Sequence, residues 1–156
     1  MHNKGEDIMK NLFYVLTLLF SLSSFALANK CELSLEADGM MQYSTNEITI
    51  GSDCAEFKIN LKNTGTLDVA LAGHNIVISK KSDFDSLTAT VDPSVGLDEG
   101  YLPKSDKVIY KTKFLGPDES TTLVIDTAKL KSGEDYIFWC SFLGHWGVMN
   151  GKLVVN

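Results

Sequence analysis

Residues 136–155 read YIFWCSFLGHWGVMNGKLVV. A run of aromatic and β-branched residues opens the stretch and another closes it, which argues for two strands. Between them, Gly144 and Gly147 break the chain into a tight loop. On this reading Cys140 ends the first strand and Met149 opens the second. The loop then gathers Cys140, His145 and Met149 around one point at a single end of a β structure.

Outward from this hairpin the rest of the chain falls into similar short runs. ELSLEA, EITIG, AEFKINLKN, NIVISK, KVIYKTKF and STTLVIDT alternate apolar with polar residues or are rich in β-branched and aromatic ones. Turn signals separate them at Asn63-Thr64-Gly65, Leu115-Gly116-Pro117-Asp118 and Ser132-Gly133-Glu134. About eight strands without long helical periods predict an all-β fold, a Greek-key sandwich of two sheets. The exception is 81–104, where Asp83-Phe84-Asp85-Ser86-Leu87 can start a short helix and Gly96, Gly100 and Pro103 interrupt the remainder. It reads as a helical flap inserted between strands.

The N-terminus reads as an export signal. Lys10 and Asn11 precede an apolar run from Leu12 to Ala28 that closes on Ala26-Leu27-Ala28. This is the pattern of a secretory leader cleaved after Ala28, with Met9 a second candidate start. The run is shorter than the roughly 20 residues a membrane-spanning helix needs, and Lys30 argues against a lipid anchor on Cys31. The expectation is a signal peptide over 1–28, one domain over 29–156, and no stable membrane anchor.

The whole chain carries 14 Lys and no Arg against 20 acidic residues, a net charge of −6. An acidic surface without arginine argues against nucleic acid and anionic membranes, whose phosphates need cationic partners. Three cysteines are an odd number for an exported protein, since an oxidising compartment pairs two of them. Joining Cys31 to Cys54 would tie the first strand to the turn before the third and contribute roughly 3 kcal/mol by loop closure. Cys140 is then left over.

His74, in LAGHNIVIS, and His145 are the two histidines of the expected mature chain. Each of the four residues has a plain structural reading alone: Cys140 as a small buried apolar residue, Met149 as core, the histidines as turn residues. Together they make one thiolate, two imidazoles and one thioether, the donor set of a copper electron-transfer site. Zinc would take the nitrogens and the thiolate, but methionine suits it poorly. A Cys–His nucleophile pair would leave Met149 and the second histidine without a role, with no orienting carboxylate beside either.

The chain resembles the azurins, small blue copper proteins of the cupredoxin family, over essentially its whole mature length. CELSLEADGMMQYSTNEITI, AGHNIVIS, GLDEGYL, VIYKTKFLG and TAKLKSGEDYIFWCSFLGHWGVMNGKLVV carry the likeness. The spacing Cys-x4-His-x3-Met is that of azurins. The resemblance implies His74, Cys140 and His145 as equatorial ligands of one copper ion and Met149 as the axial one. It also implies the backbone carbonyl of Gly73 on the opposite side, where the lack of a Cβ allows close approach. Asn75 would hydrogen-bond across the two ligand loops and hold the thiolate, and Cys31–Cys54 would be the family's disulfide.

Four positions depart from the family pattern. Leu143 stands for a usual Pro, Ile76 for a buried Trp, Asn63 for a second histidine that titrates, and Ala72 for a frequent Met. Trp139 and Trp146 flank the site instead.

The function implied is a monomeric periplasmic one-electron carrier cycling between Cu(II) and Cu(I), not an enzyme. Its redox partners would be c-type cytochromes as donors and reductases, peroxidases or oxidases as acceptors. Electrons would leave through an exposed edge of His145, within an apolar docking patch of Met41, Leu67, Leu71, Ala72, Leu143, Trp146 and Val148. The alternative from another class is periplasmic copper storage or delivery, for which a Met- or His-rich cluster would be expected. A metal-free binding module is the third reading.

Overall fold

The structure, a computed structural model, describes residues 30–156. The expected signal peptide lies outside the described residues. Eight strands run as β1 (Glu32–Ala37), β2 (Glu47–Ile50), β3 (Glu56–Asn63), β4 (Val77–Lys80), β5 (Val108–Lys111), β6 (Ser120–Asp126), β7 (Tyr136–Trp139) and β8 (Asn150–Val155). They form a three-stranded sheet in the order β1-β3-β6 and a five-stranded sheet in the order β2-β8-β7-β4-β5. The chain crosses between sheets at β1–β2 and again at β2–β3, and the β1/β3 and β2/β8 pairs are accordingly parallel. The all-β, two-sheet reading holds, with β5 shorter than KVIYKTKF suggested.

Period-two alternation sets which side chains enter the core. In β3, Phe57, Ile59, Leu61 and Asn63 are buried while Lys58 and Lys62 face water. They meet Leu35 and Ala37 of β1, Leu123 and Ile125 of β6, and Ile48, Tyr136, Phe138 and Leu153 of the facing sheet. Strand β7 is different, being buried at all four positions. Its Tyr136 and Phe138 enter the main core, whereas Ile137 and Trp139 join a second cluster with Val77, Leu87 and Leu102. A strand covered on both faces reads as continuously apolar, as YIFW does.

The cover on that outer face is the flap. A 3₁₀ turn at Lys81–Asp83, the helix α2 (Phe84–Thr88) and a second 3₁₀ turn at Pro93–Val95 carry Leu87 onto the sheet. Phe84 meets Trp139 edge-on at 5.5 Å. Trp139 therefore points away from the Cys140 side, a correction to its expected place beside the site. One helix was not anticipated: α1 (Val69–Ala72), capped by Asp68, whose carboxylate accepts from the Ala70 amide at 2.9 Å.

Cys31 and Cys54 are disulfide-bonded, with Cα atoms 5.5 Å apart. The bond joins the chain just before β1 to the turn entering β3, at the end of the sandwich where β2 and β8 finish.

Candidate metal centre

The opposite end of the sandwich carries the loops that follow β1, β3 and β7. The last strand hydrogen bonds between β7 and β8 stop at Trp139 and Asn150. Cys140 and Met149 thus lie one residue outside the strands expected to contain them, yet stay joined, the Cys140 amide donating to the Met149 carbonyl at 3.0 Å. Within the loop, Gly144 adopts φ +77°, a left-handed value that favours glycine. It opens a 3₁₀ turn at His145–Gly147. The His145 carbonyl then accepts from the amides of Val148 at 3.1 Å and Met149 at 2.7 Å. Ten residues fold back on themselves, and the side chains of Cys140, His145 and Met149 all become buried.

His74 arrives from the loop between α1 and β4. Its backbone is held by a two-way bridge to Leu115, with bonds of 3.2 and 2.8 Å. Asn63 braces this bridge from below. Fully buried, it donates from Nδ2 to the Leu115 carbonyl at 2.9 Å and accepts from the Gly65 amide at 2.7 Å. A residue singled out only as the place of a missing histidine is thus a clip between loops. Gly73 ends α1, and a Cβ there would come within 2.7 Å of the Val69 carbonyl. Its own carbonyl lies 3.9 Å from Cys140 Sγ.

The donor atoms of His74, Cys140 and His145 lie within 4.8 Å of one another. Cys140 Sγ is 3.7 Å from His145 Nδ1, and the two imidazole rings are 5.1 Å apart. Cys140 is free and completely buried, His74 is 1% exposed and His145 5%. Both ring nitrogens of His74 are buried without a hydrogen-bond partner. Buried polar atoms in native proteins are nearly always paired, so an orphaned imidazole beside a free thiol points to a bound cation.

The protonation of the group agrees. Burial pushes the Cys140 thiol up to about 12, against the backbone amides of Asn75 and Phe142, which favour the thiolate. Burial, then the neighbouring His74, bring His145 down to about 4. Burial also lowers His74, partly offset by the Asp38 backbone, which lies near the ring without meeting hydrogen-bond geometry, and then by the Asp38 charge. Neutral imidazoles are the form that binds a metal, and a metal replaces the thiol proton. Two imidazoles and one thiolate fit copper in either oxidation state. Met149, fully buried in the same loop, adds a thioether within the core cluster that includes Cys140.

Asn75 links the loops of His74 and Cys140. Its Oδ1 accepts from the Ser141 amide at 2.9 Å, and its Nδ2 donates to Ser141 Oγ at 2.9 Å and to the Thr112 carbonyl at 3.3 Å. Ser141 Oγ in turn donates to the Gly100 carbonyl at 2.6 Å, bringing the end of the flap into the network. Gly100 has φ +63°, and a Cβ there would meet Asn75 Nδ2 at 2.8 Å. Ser141, Thr112 and Tyr43 were not singled out from the sequence, and Gly100 only as a break in the flap. Ser141 alone carried a signal, being next to Cys140.

Of the expected docking residues, Met41, Leu67, Leu71, Leu143 and Val148 are exposed and Ala72 is partly so. Trp146 is half-buried and packs toward the second cluster. His145, expected to present an exposed edge, is instead buried, 5% of its surface being accessible. Met40, exposed by 72%, adds to the apolar residues at this end and was not anticipated.

Comparison with known proteins gives a consistent picture. Residues 29–156 match the copper-binding proteins of the plastocyanin/azurin family. An azurin from Alcaligenes faecalis is 45% identical over 124 residues, 79% of this chain and 96% of that protein. An azurin from Pseudomonas aeruginosa is 38% identical over 141 residues, 90% of this chain and 95% of the relative. Among solved structures, the azurin Az-iso2 of Methylomonas sp. strain J superimposes with a TM-score of 0.75 at 30% identity, covering 81% of this chain and 98% of its own.

Proposed function

Because the chain belongs to the plastocyanin/azurin family of copper-binding proteins and is a copper electron carrier, we propose that it works in the periplasm, between c-type cytochromes and terminal reductases, peroxidases or oxidases. One observation carries the reading: three buried donors from two loops converge within 4.8 Å, and neither ring nitrogen of the most deeply buried imidazole makes a hydrogen bond of good geometry. His74, Cys140 and His145 are the principal ligands, with the Met149 thioether and the Gly73 carbonyl as weaker donors. Copper, when bound, supplies one-electron chemistry by alternating between Cu(II) and Cu(I).

The chain's own residues supply the rest. His74 and Cys140 are held by backbone bridges to Leu115 and Met149, so the donors are placed before the ion arrives. Such preorganisation keeps rearrangement between oxidation states small. Burial excludes water and leaves no approach for a substrate, which favours electron transfer over catalysis. His145, 5% exposed against 1% for His74 and none for Cys140, is the ligand nearest to solvent and provides the electronic contact to a partner. Met41, Leu67, Leu71, Ala72, Leu143, Trp146 and Val148 form the surface on which that partner docks, in a small and transient encounter. The disulfide supports residence in an oxidising compartment, and the leader over 1–28 is the means of export. The protein acts as a monomer.

The test is the visible spectrum of purified protein loaded with Cu(II) and then reduced. An intense absorption that bleaches on reduction and is missing in Cys140→Ser is the expected result. A colourless loaded protein whose Cys140 still reacts as a free thiol would overturn the reading.

A further inference from the structure

Three loops, not two, reach the metal centre. The third joins β1 to β2 and is itself closely held. Asp38 Oδ1 accepts from the Met40 and Gln42 amides at 2.9 and 3.0 Å, and Asp38 and Gln42 share a backbone bond of 3.0 Å. Met41 sits at φ +59° inside this turn. The turn delivers Tyr43, which bridges back to Ala37. The Tyr43 ring lies 5.3 Å from Phe138, in the strand that leads to Cys140. Its hydroxyl donates to the Asn75 carbonyl at 2.5 Å.

That carbonyl belongs to the peptide between Asn75 and Ile76, both fully buried. The other pole of the same peptide, the Ile76 amide, donates to Thr112 Oγ1 at 3.1 Å. One peptide unit beside His74 is therefore pinned at both ends by side chains from two different loops. Asn75 is also the residue whose Oδ1 accepts from the Ser141 amide at 2.9 Å, one residue from Cys140. A phenylalanine at position 43 would fill the same space against Phe138, so the hydroxyl is what the tyrosine adds.

We propose that Tyr43 is a positioning residue for the metal centre: its hydroxyl fixes the Asn75–Ile76 peptide and, through the Asn75–Ser141 link, the polar surroundings of the Cys140 sulfur, and so raises the reduction potential. The inference rests on the copper reading above. Hydrogen bonding around the cysteine sulfur tunes the potential of such sites. Hydrogen-bond donors held toward the sulfur draw charge from it and so stabilise Cu(I) relative to Cu(II). Loosening Asn75 relaxes that arrangement and lowers the potential.

The experiment compares wild type with Tyr43→Phe, Thr112→Val and Thr112→Ser. Copper-loaded proteins are titrated for midpoint potential, and amide hydrogen exchange at Asn75 and Ile76 is measured in the metal-free proteins. Tyr43→Phe should keep the copper–thiolate absorption and shift the Cu(I):Cu(II) ratio threefold to tenfold toward Cu(II), tenfold being about 59 mV for one electron. Its Asn75 and Ile76 amides should exchange faster. Thr112→Val should act in the same direction and Thr112→Ser should match wild type. The two loss variants combined should give less than the sum of their shifts, because both release one peptide. A Tyr43→Phe protein with unchanged potential and unchanged exchange overturns the proposal. A wild type without copper–thiolate absorption sinks the copper reading instead, and the exchange in metal-free protein still decides whether Tyr43 holds Asn75.

Discussion

Asn75 Oδ1 and the Ser141 backbone amide, 66 residues apart in the chain, meet at 2.9 Å and tie the loop of His74 to that of Cys140. Both residues are fully buried, so no water can replace either partner. Asn75→Ala leaves the Ser141 amide without a partner, which costs about 1–3 kcal/mol per unsatisfied group. The metal-free variant should lose about 2 kcal/mol or more, read as a lower urea midpoint at unchanged slope. An unaltered midpoint would show that the cross-link adds nothing to the fold.

Acid should destabilise the metal-free protein in a defined window. His145 stays neutral in the fold down to about 4, whereas an imidazole in the unfolded chain takes up its proton near 6.5. Between those values the unfolded chain binds more protons, so stability rises with pH. It is fully present above about 6.5 and lost as the pH falls toward 4, with His74 adding in the same direction. Urea midpoints between pH 7.5 and 4.5 should trace this decline, and His145→Gln should flatten it. A pH-independent midpoint over that range would refute the assignment.

The disulfide and the metal centre occupy opposite ends of the sandwich and should be separable. Cys31→Ala/Cys54→Ala opens a link spanning 23 residues, a loss of roughly 3 kcal/mol in the chain-entropy account. The copper–thiolate spectrum of the double variant should remain that of the wild type. A changed spectrum at full folding would mean that the two ends communicate.

A charge on the apolar face should slow electron exchange without touching the centre. Val148 is 65% exposed and lies three residues after His145. In an encounter between two copies, Val148→Lys brings like charges together and desolvates them. Electron self-exchange, measured by NMR line broadening of mixed oxidation states, should fall by about tenfold or more, about 1.4 kcal/mol in the barrier. The absorption spectrum should be unchanged. An undiminished rate would move the docking face elsewhere.

Much of this architecture was legible in the chain because its strands are short and alternate cleanly. EFKINLKN buries every second residue as it reads. The candidate donor residues stood out for another reason: the unpaired cysteine, two histidines and a methionine are scarce, chemically distinct residues at loop positions. What escaped notice has a common physical origin. Tyr43 and Thr112 act on a peptide 32 and 36 residues away through single hydrogen bonds, and such pairings leave no local pattern. Helix α1 is a single turn, too short for helical periodicity, and only the cap at Asp68 marks it. Trp139 was misplaced because a strand buried on both faces offers no alternation to tell inside from outside.

The end of the sandwich that carries the disulfide also receives both ends of the described residues. Lys30 pairs with Asp53 beside Cys54, and the Asn156 amide donates to the Ile50 carbonyl. A tether, a fluorescent label or a second protein attached at Lys30 or Asn156 therefore departs from the pole remote from His145. It would leave the end that carries His74, Cys140 and His145 turned outward.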